Sequence, residues 1–584
     1  MGHRRCLPGA RLAGGALAVW LSALAPACHR GKLLPRADGA AVVVVASPDA
    51  SGPEPGMAAV VENEPNGALS SAQKIDLGVA SAQTVSGRIG AAAAEPGARG
   101  RDIDVYRLVV PAETGAPDAG AVARPAASID ASAMPAPSNR RRLSALVRPD
   151  LELPVVVEAL DDAGQVLVSA AGGQPGEVEG LPSLTVTPGI YFIRIRGAQA
   201  AAEGGYRLTV RLLPVEVGEE SEPNGKATLA GDLAPAGEAV GYFGWRKDQD
   251  WYRVRLDGLA EGSVLSADLE AVPGVTASLL AFDSVERKLM EARGRKEERV
   301  ALRNIRLPPG EPYLYLQARA DAGHNVDVRY NLRVRTEIAR AGGAGGDLEP
   351  NDDAAHANPL ADGTVQGYLG RGDIDVYRYA TAEPVEIDLE AAPPERVDLK
   401  MEIIREPDGL LLVRSDVGKR HEPERLANLF VAPGSILIRL FAAREDGNPD
   451  EPYRVTLSSR RPEPGAEREP NGTPASAMPL VGGTTGNGLL FPRGDVDFWQ
   501  TPVTPDPEGN LGVTVTGIAG LGVDVRVMSL ASANKELGHF KINGDAPATN
   551  RLTVGAQPCC LLQIKEVTGK AANFRDRYTV TVGP

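Results

Sequence analysis

Four stretches of the chain alternate strictly between apolar and polar residues: Tyr206-Arg207-Leu208-Thr209-Val210, Tyr330-Asn331-Leu332-Arg333-Val334, Tyr453-Arg454-Val455-Thr456-Leu457 and Tyr578-Thr579-Val580-Thr581-Val582. A period of two puts the tyrosine and the aliphatic residues on one face, so each stretch predicts a half-buried strand. Upstream of the first three, a Pro-Gly turn leads into a second apolar run. Pro188-Gly189 precedes Tyr191-Phe192-Ile193-Arg194-Ile195, Pro309-Gly310 precedes Tyr313-Leu314-Tyr315-Leu316, and Pro433-Gly434 precedes Ile436-Leu437-Ile438-Arg439-Leu440. The pattern predicts two adjacent antiparallel strands closing each unit. No convincing helical stretch interrupts these runs.

The units are copies of one another. Glu64-Pro65-Asn66-Gly67, Glu222-Pro223-Asn224-Gly225, Glu349-Pro350-Asn351-Asp352 and Glu469-Pro470-Asn471-Gly472 open them, at successive offsets of 158, 127 and 120 residues. Each opening is followed by Asp-x-Asp and aromatics: Asp102-Ile103-Asp104-Val105-Tyr106, Asp248-Gln249-Asp250-Trp251-Tyr252, Asp373-Ile374-Asp375-Val376-Tyr377 and Asp495-Val496-Asp497-Phe498-Trp499. With several strand-like runs per copy, the expected fold is all-β: four tandem antiparallel β-sandwich modules over 62–213, 216–337, 347–458 and 467–584. Module one is longer because of an Ala/Pro-rich insertion at about 111–139 and a smaller one at 91–98, both read as surface loops. The linkers at 214–218, 341–346 and 460–465 are short, glycine-rich and proline-bearing in turn, which predicts a jointed string of discrete modules.

Composition agrees with this picture. A chain of 584 residues exceeds one compact core, and 66 glycines, 47 prolines and 43% hydrophobic but only 4% aromatic residues suit a turn-rich β protein with aliphatic cores. The formal charge is −14, and leaving out Arg4, Arg5 and Arg11 of residues 1–27 makes it −17, so nucleic acid is excluded as a partner. The four cysteines, Cys6, Cys28, Cys559 and Cys560, cannot form a disulfide framework. Cys559-Cys560 reads as two small apolar residues at a strand start rather than a redox pair or a vicinal disulfide.

The first 27 residues have the layout of a secretory signal peptide: His3, Arg4, Arg5 and Arg11, then a charge-free apolar run over 12–27, too short for a membrane span. The run ends Leu24-Ala25-Pro26-Ala27-Cys28, which resembles a bacterial lipoprotein cleavage box. That resemblance implies lipidation of Cys28 and a lipid anchor to the membrane; cleavage after Ala27 without lipid is the alternative. His29 stands where an inner-membrane retention signal usually has Asp, so the resemblance implies an outer-membrane or cell-surface location. Residues 28–61, rich in Pro, Ala, Gly and Ser, read as a flexible stalk in which the Val42–Val45 run pairs locally.

The Glu-Pro-Asn opening, the Gly-containing strand, Asp-x-Asp-x-aromatic, the Pro-Gly turn and the closing Tyr strand together resemble the bacterial pre-peptidase C-terminal (PPC) domain, related to the collagen-binding modules of clostridial collagenases. The resemblance runs from Glu62 to the end. It implies a jelly-roll-like sandwich and, in some members, calcium at the segment entering the first strand.

The residues support calcium by themselves. Glu62, Glu64 and Asn66 lie at i, i+2 and i+4 of an extended segment with Pro65, and Asp102 and Asp104 lie on a second one. Five side-chain oxygen donors approach the six to eight oxygens that Ca²⁺ takes. The corresponding sets are Glu220, Glu222, Asn224, Asp248 and Asp250; Asp347, Glu349, Asn351, Asp373 and Asp375; and Glu467, Glu469, Asn471, Asp495 and Asp497. In calcium-binding relatives the two later acids stand one residue further apart, which leaves the roles of Asp102, Asp248, Asp373 and Asp495 open. The competing reading makes Pro-Asn-Gly a turn and the acids solvated strand-edge residues.

Paired carboxylates could also serve a glycosidase, but a constellation repeated four times is a structural element rather than a catalytic site. His29, His324, His356, His421 and His539 occupy different places in the copies, and no catalytic motif occurs. The Arg-Gly-Asp tripeptides at 371–373 and 493–495 belong to the acidic motif, and Arg140-Arg141-Arg142 reads as a solvated charge run. The expectation is therefore a non-enzymatic exported lipoprotein whose modules bind extracellular protein or polysaccharide or act as spacers. The alternative is an accessory subunit of a secreted peptidase or other hydrolase.

Overall fold

The alternating segments become long strands whose apolar sides enclose four successive cores. In the second, Tyr330, Leu332 and Val334 of strand Asn325–Ile338 are buried while Arg333 faces out. The structure is a computed structural model describing residues 34–35, 41–42, 60–77, 82–90, 102–112, 139–199, 202–339, 346–444, 446–544, 546–555 and 559–584. Among them the regular elements are β-strands and two short 3-10 turns, Ala227–Leu229 and Pro474–Ser476, so the chain is all-β. The signal segment, Cys28, Val43–Val45 and most of the first insertion lie outside the described residues. Within the unit Met1–Ser51, Leu34–Pro35 pairs antiparallel with Ala41–Val42.

Each repeat is built from two sheets. In the second, Gly231–Leu233, Gln249–Arg255, Tyr313–Ala322, Thr276–Phe282 and Lys288–Lys296 form one sheet in that spatial order. Glu238–Phe243, Asn325–Ile338, Ser263–Leu269 and Val300–Arg306 form the other, and one hydrophobic cluster draws on both. Pairing is antiparallel except for the short first strand, which runs parallel to the Asp-x-Asp strand. The same order recurs in the third and fourth repeats, and the first adds Val60–Val61, from the span read as stalk, beside Ala82–Ile89.

Two expectations need correction. The Pro-Gly strand and the closing strand are not neighbours: Tyr313–Ala322 and Asn325–Ile338 lie in opposite sheets, as do Gly189–Gly197 and Gly204–Pro214. Both have a fully apolar inner face, and placing them in facing sheets buries both against a single core. Nor are the repeats discrete beads. Gly52–Pro584 is one compact unit, and at each junction the opening Glu of one repeat bridges the edge strand of the repeat before it, a solenoid-like continuation. Thr185 N donates to Glu222 O at 3.0 Å and Glu222 N to Ser183 O at 3.1 Å. Arg306 N bonds Glu349 O at 2.7 Å, Glu349 N bonds Asn304 O at 3.0 Å, Phe430 N bonds Glu469 O at 2.9 Å and Glu469 N bonds Asn428 O at 3.0 Å.

The receiving edge strands, Glu179–Val186, Val300–Arg306 and Glu424–Val431, each pair with a register shift near the bridge. A bulge frees backbone groups from the ladder and turns them outward. The corresponding strand of the fourth repeat, Pro547–Thr553, pairs without a shift. In the fourth core the structure also corrects the reading of Cys559 and Cys560, which are joined as a disulfide and buried.

Candidate metal centre

The opening segment of each repeat folds against the start of its Asp-x-Asp strand, and backbone bonds fix the two together. Asn224 N donates to Glu222 Oε2 at 2.7 Å, and the Asn224 carbonyl accepts from Trp251 N, just past Asp250, at 3.1 Å. Asn351 and Asn471 repeat both contacts, with Val376 N and Phe498 N as donors. The first acid of each set accepts an amide from the glycine-bearing strand: Glu62 from Arg88 N at 2.7 Å, Glu220 from Tyr242 N at 2.9 Å, Asp347 from Tyr368 N at 2.9 Å and Glu467 from Leu489 N at 2.6 Å.

The fold thus gathers most of the expected residues. One oxygen each from Glu62, Glu64 and Asp104; from Glu222, Asp248 and Asp250; from Asp347, Glu349 and Asp375; and from Glu469, Asp495 and Asp497 lie within 4.8 Å of one another. Asn66, Asn224, Asn351 and Asn471 are fully buried beside them. The solvated strand-edge reading is overturned in repeats two and three, where the preceding repeat covers the site and Glu222 and Glu349 are 4% and 2% exposed, while in the fourth Glu469 and Asp495 are half-buried. In the first repeat Glu64 is exposed.

The first Asp of each Asp-x-Asp has a separate task. Asp248 accepts from Gly244 N at 2.7 Å and Gln249 N at 2.9 Å; Asp373 from Gly370 N at 2.9 Å and Ile374 N at 3.0 Å; Asp495 from Phe491 N and Val496 N, both at 2.8 Å. Asp102 accepts from Gly90 N at 2.6 Å. These carboxylates tie down the turn before the strand. The second Asp instead keeps Oδ1 free of any hydrogen-bond partner in all four repeats, at Asp104, Asp250, Asp375 and Asp497. The same is true of Oδ1 of Asn66, Asn224, Asn351 and Asn471, and of Oε1 of Glu222, Glu349 and Glu469.

Buried polar atoms without partners are rare in folded proteins because each forfeits its hydration. Apart from Asn224 Nδ2 and Asn471 Nδ2, which also lack partners, the recurrent group is made of oxygens with no Lys, Arg or His bonded to any, the chemistry that a hard cation takes. The electrostatics agree. Burial, then Glu62, pushes Asp104 up to about 9; burial, then Glu220, raises Glu222 to about 8; burial, then Glu469, raises Asp495 to about 9. Asp250, Asp375 and Asp497 are held well above the usual carboxylate range by burial and then by their acidic neighbours.

Three sets of contributors escaped the sequence reading. The closing tyrosines carry their hydroxyls to the second Asp: Tyr206 to Asp104 at 2.5 Å, Tyr330 to Asp250 at 2.9 Å and Tyr578 to Asp497 at 2.7 Å. Each also meets the aromatic after the Asp-x-Asp, as in Tyr252–Tyr330 at 2.5 Å and Trp499 Nε1 to Tyr578 at 2.8 Å. Gly87, Gly241, Gly367 and Gly488 let these rings cross, since a Cβ there would overlap the Tyr206, Tyr330, Tyr453 or Tyr578 ring. Finally the preceding repeat reaches in: Ser183 bonds Glu220, Asn304 bonds Asp347, and Asn428 Nδ2 donates to Glu467 at 3.0 Å. A polar residue inside each apolar edge strand, before Leu184, Ile305 and Leu429, was the available signal.

No family model matches the chain and no curated protein does. Among solved structures, the CBM22-1–CBM22-2 tandem domain of Paenibacillus barcinonensis Xyn10C is similar at 13% identity over 34% of this chain and 79% of that one, with a TM-score of 0.12. The BSP domain of a biofilm-associated protein is 9% identical over 77% and 90%, with a TM-score of 0.11. SGBP-B of a Bacteroides ovatus mixed-linkage glucan utilization locus is 11% identical over 73% and 89%, with a TM-score of 0.09. At such scores the likeness carries no argument about this chain.

Proposed function

We propose that the chain is a non-enzymatic, exported surface lipoprotein: four PPC-like β-sandwich repeats, locked end to end by Ca²⁺, that present a binding surface for extracellular polysaccharide or protein. The observation that carries this reading is the fourfold recurrence of a carboxylate cluster with unpartnered buried Asp and Asn oxygens, joined by an unpartnered Glu oxygen in the three copies that lie at the seam with the preceding repeat. Catalysis fits it poorly. The acids that would act as general acid and base recur between copies, are fully buried in the second and third, and the acid before each of them is spent on backbone amides.

In each repeat the second Glu, the Asn and the second Asp would hold the ion, with the first acid completing the shell. When bound, the cation neutralises carboxylates that otherwise repel one another. Because it binds the folded chain and not the unfolded one, it adds stability by mass action. In calorimetry, millimolar Ca²⁺ raises the melting temperature and EGTA lowers it; a trace indifferent to both overturns the metal. The anchor is tested separately by palmitate labelling and fractionation of wild type and Cys28→Ser, where equal membrane retention with no label in the wild type overturns it.

A further inference from the structure

The third and fourth repeats leave between them an open cleft of about 280 Å³ that differs from the rest of this acidic chain in its charge. Four arginines, Arg425, Arg460, Arg575 and Arg577, line it against Asp388 and Glu390. Arg425 and Arg460 have carboxylate partners, Glu390 at 2.8 Å and Glu386 at 3.2 Å. Among the described residues the other two form no ion pair, although the charge of Arg577 is felt at Glu386. Arg577 bonds only amide oxygens, Asn487 and Asn428, both at 2.9 Å. The exposed Arg575 guanidinium rests on the Phe574 ring at 5.3 Å, and Arg425 lies over the same ring at 4.8 Å. Phe491 packs edge-on against Phe574 at 5.8 Å, so the ring is fixed from a second side. Guanidinium groups fixed by an aromatic ring and by amides, with donors unspent, are prearranged for oxyanions.

From this geometry we infer that the cleft binds the carboxylate groups of an acidic polysaccharide, a chain of uronate residues. Thr456 and Ser458, both exposed, supply neutral hydrogen-bonding side chains beside the arginines, as sugar hydroxyls require. A peptide strand added to the edge Glu424–Val431 would need backbone groups that Glu469 already occupies through Asn428 and Phe430. The cleft is also wired to the metal centre of the fourth repeat. Asn428 accepts from Arg460 and Arg577 through Oδ1 and donates to Glu467 through Nδ2, and Leu489 N, on the cleft wall, bonds the same carboxylate. Asn428 therefore stands between the cleft arginines and the acids of the fourth repeat without itself facing the ligand.

This inference names the ligand of the surface proposed above, but the anion affinity does not depend on the metal. The full chain is titrated calorimetrically with tetragalacturonate in Ca²⁺ and in EGTA, with a neutral tetrasaccharide and poly-glutamate as comparators. Binding of tetragalacturonate alone, retained in EGTA, weakened by salt and weakened roughly tenfold by Arg575→Glu, is the expected result. Since Arg575 is exposed, that variant folds, and its melting temperature in Ca²⁺ reports the metal centres independently. The inference is overturned by affinity no better than for the neutral sugar, by equal or tighter binding of poly-glutamate, by indifference to Arg575→Glu, or by loss of all binding in EGTA, which would mean a calcium bridge.

Discussion

The side-chain amide of Asn428, in the third repeat, donates to Glu467 of the fourth at 3.0 Å, so an acid of one candidate metal centre is held by a residue of the neighbouring repeat. Asn428 sits at φ 55°, and its counterpart Asn304 at φ 50°. This left-handed conformation aims the amide across the seam, and asparagine tolerates it better than most side chains.

Removing that amide tests the seam. Asn428→Gly keeps the backbone free to adopt positive φ but leaves Glu467 without its donor from the neighbouring repeat, with Leu489 N alone remaining, so a loss of about 1 to 3 kcal/mol is expected in urea titration of the full chain. Asn428→Ala adds the left-handed penalty and falls further by about 1 kcal/mol. Equal stability of wild type and both variants would mean that the contact does not join the repeats.

The metal-free chain has a defined pH response. Folded values near 7 for Glu220, near 8 for Glu222 and near 9 for Asp104 and Asp495 all lie above those of the unfolded chain, and burial is the first cause of each. A raised folded value gives stability that is complete below the unfolded carboxylate range and lost as pH climbs through the folded one. In EGTA the melting temperature should therefore fall between about pH 5 and pH 9. Calcium displaces those protons, so the gap between the calcium and EGTA curves should widen over the same interval. A gap that is constant with pH would show that protons and metal do not compete.

Gly241 carries a very close approach in the second repeat, where an added Cβ would overlap both Tyr330 and Glu220. Gly241→Ala must displace a buried ring or the strand, and a loss of roughly 2 to 3 kcal/mol is expected from overpacking. Gly231→Ala is the control, since its Cβ would sit 3.8 Å from the Tyr252 ring, an ordinary contact. Thermal midpoints that drop equally in the two variants would count against the crossing ring as the cause.

What could be read from the chain follows from where each contact lies. The alternation of Tyr330, Leu332 and Val334 is local, so the inward face was legible, and Glu222, Asn224 and Asp250 were legible because they recur. Sheet membership was not: Tyr313–Ala322 and Asn325–Ile338 are adjacent in sequence but pair with different partners, and only core closure decides which. The tyrosine hydroxyls were hidden by their rings, which read as apolar, although Tyr330 delivers its oxygen to Asp250. The seam was hidden because Ser183 and Glu220 belong to different copies, and a module read alone contains only half of the contact.

Asp250 separates the electrostatic cost of the cluster from its use. It is fully buried, its Oδ2 accepts from Tyr330 and its Oδ1 has no partner. Asp250→Asn keeps the shape and an oxygen for Tyr330 while deleting the negative charge that Asp250 would offer a cation alongside Glu222 and Asp248. Without metal, burial and the neighbouring acids already favour the neutral form of Asp250, so the neutral asparagine should melt at or above the wild-type temperature in EGTA. With metal, the same deletion removes a charged ligand, so the calcium-induced rise should shrink for the second repeat. If the acids were only structural, the substitution would shift both curves by the same amount, and parallel melting curves in calcium and EGTA would refute the cation reading for this centre.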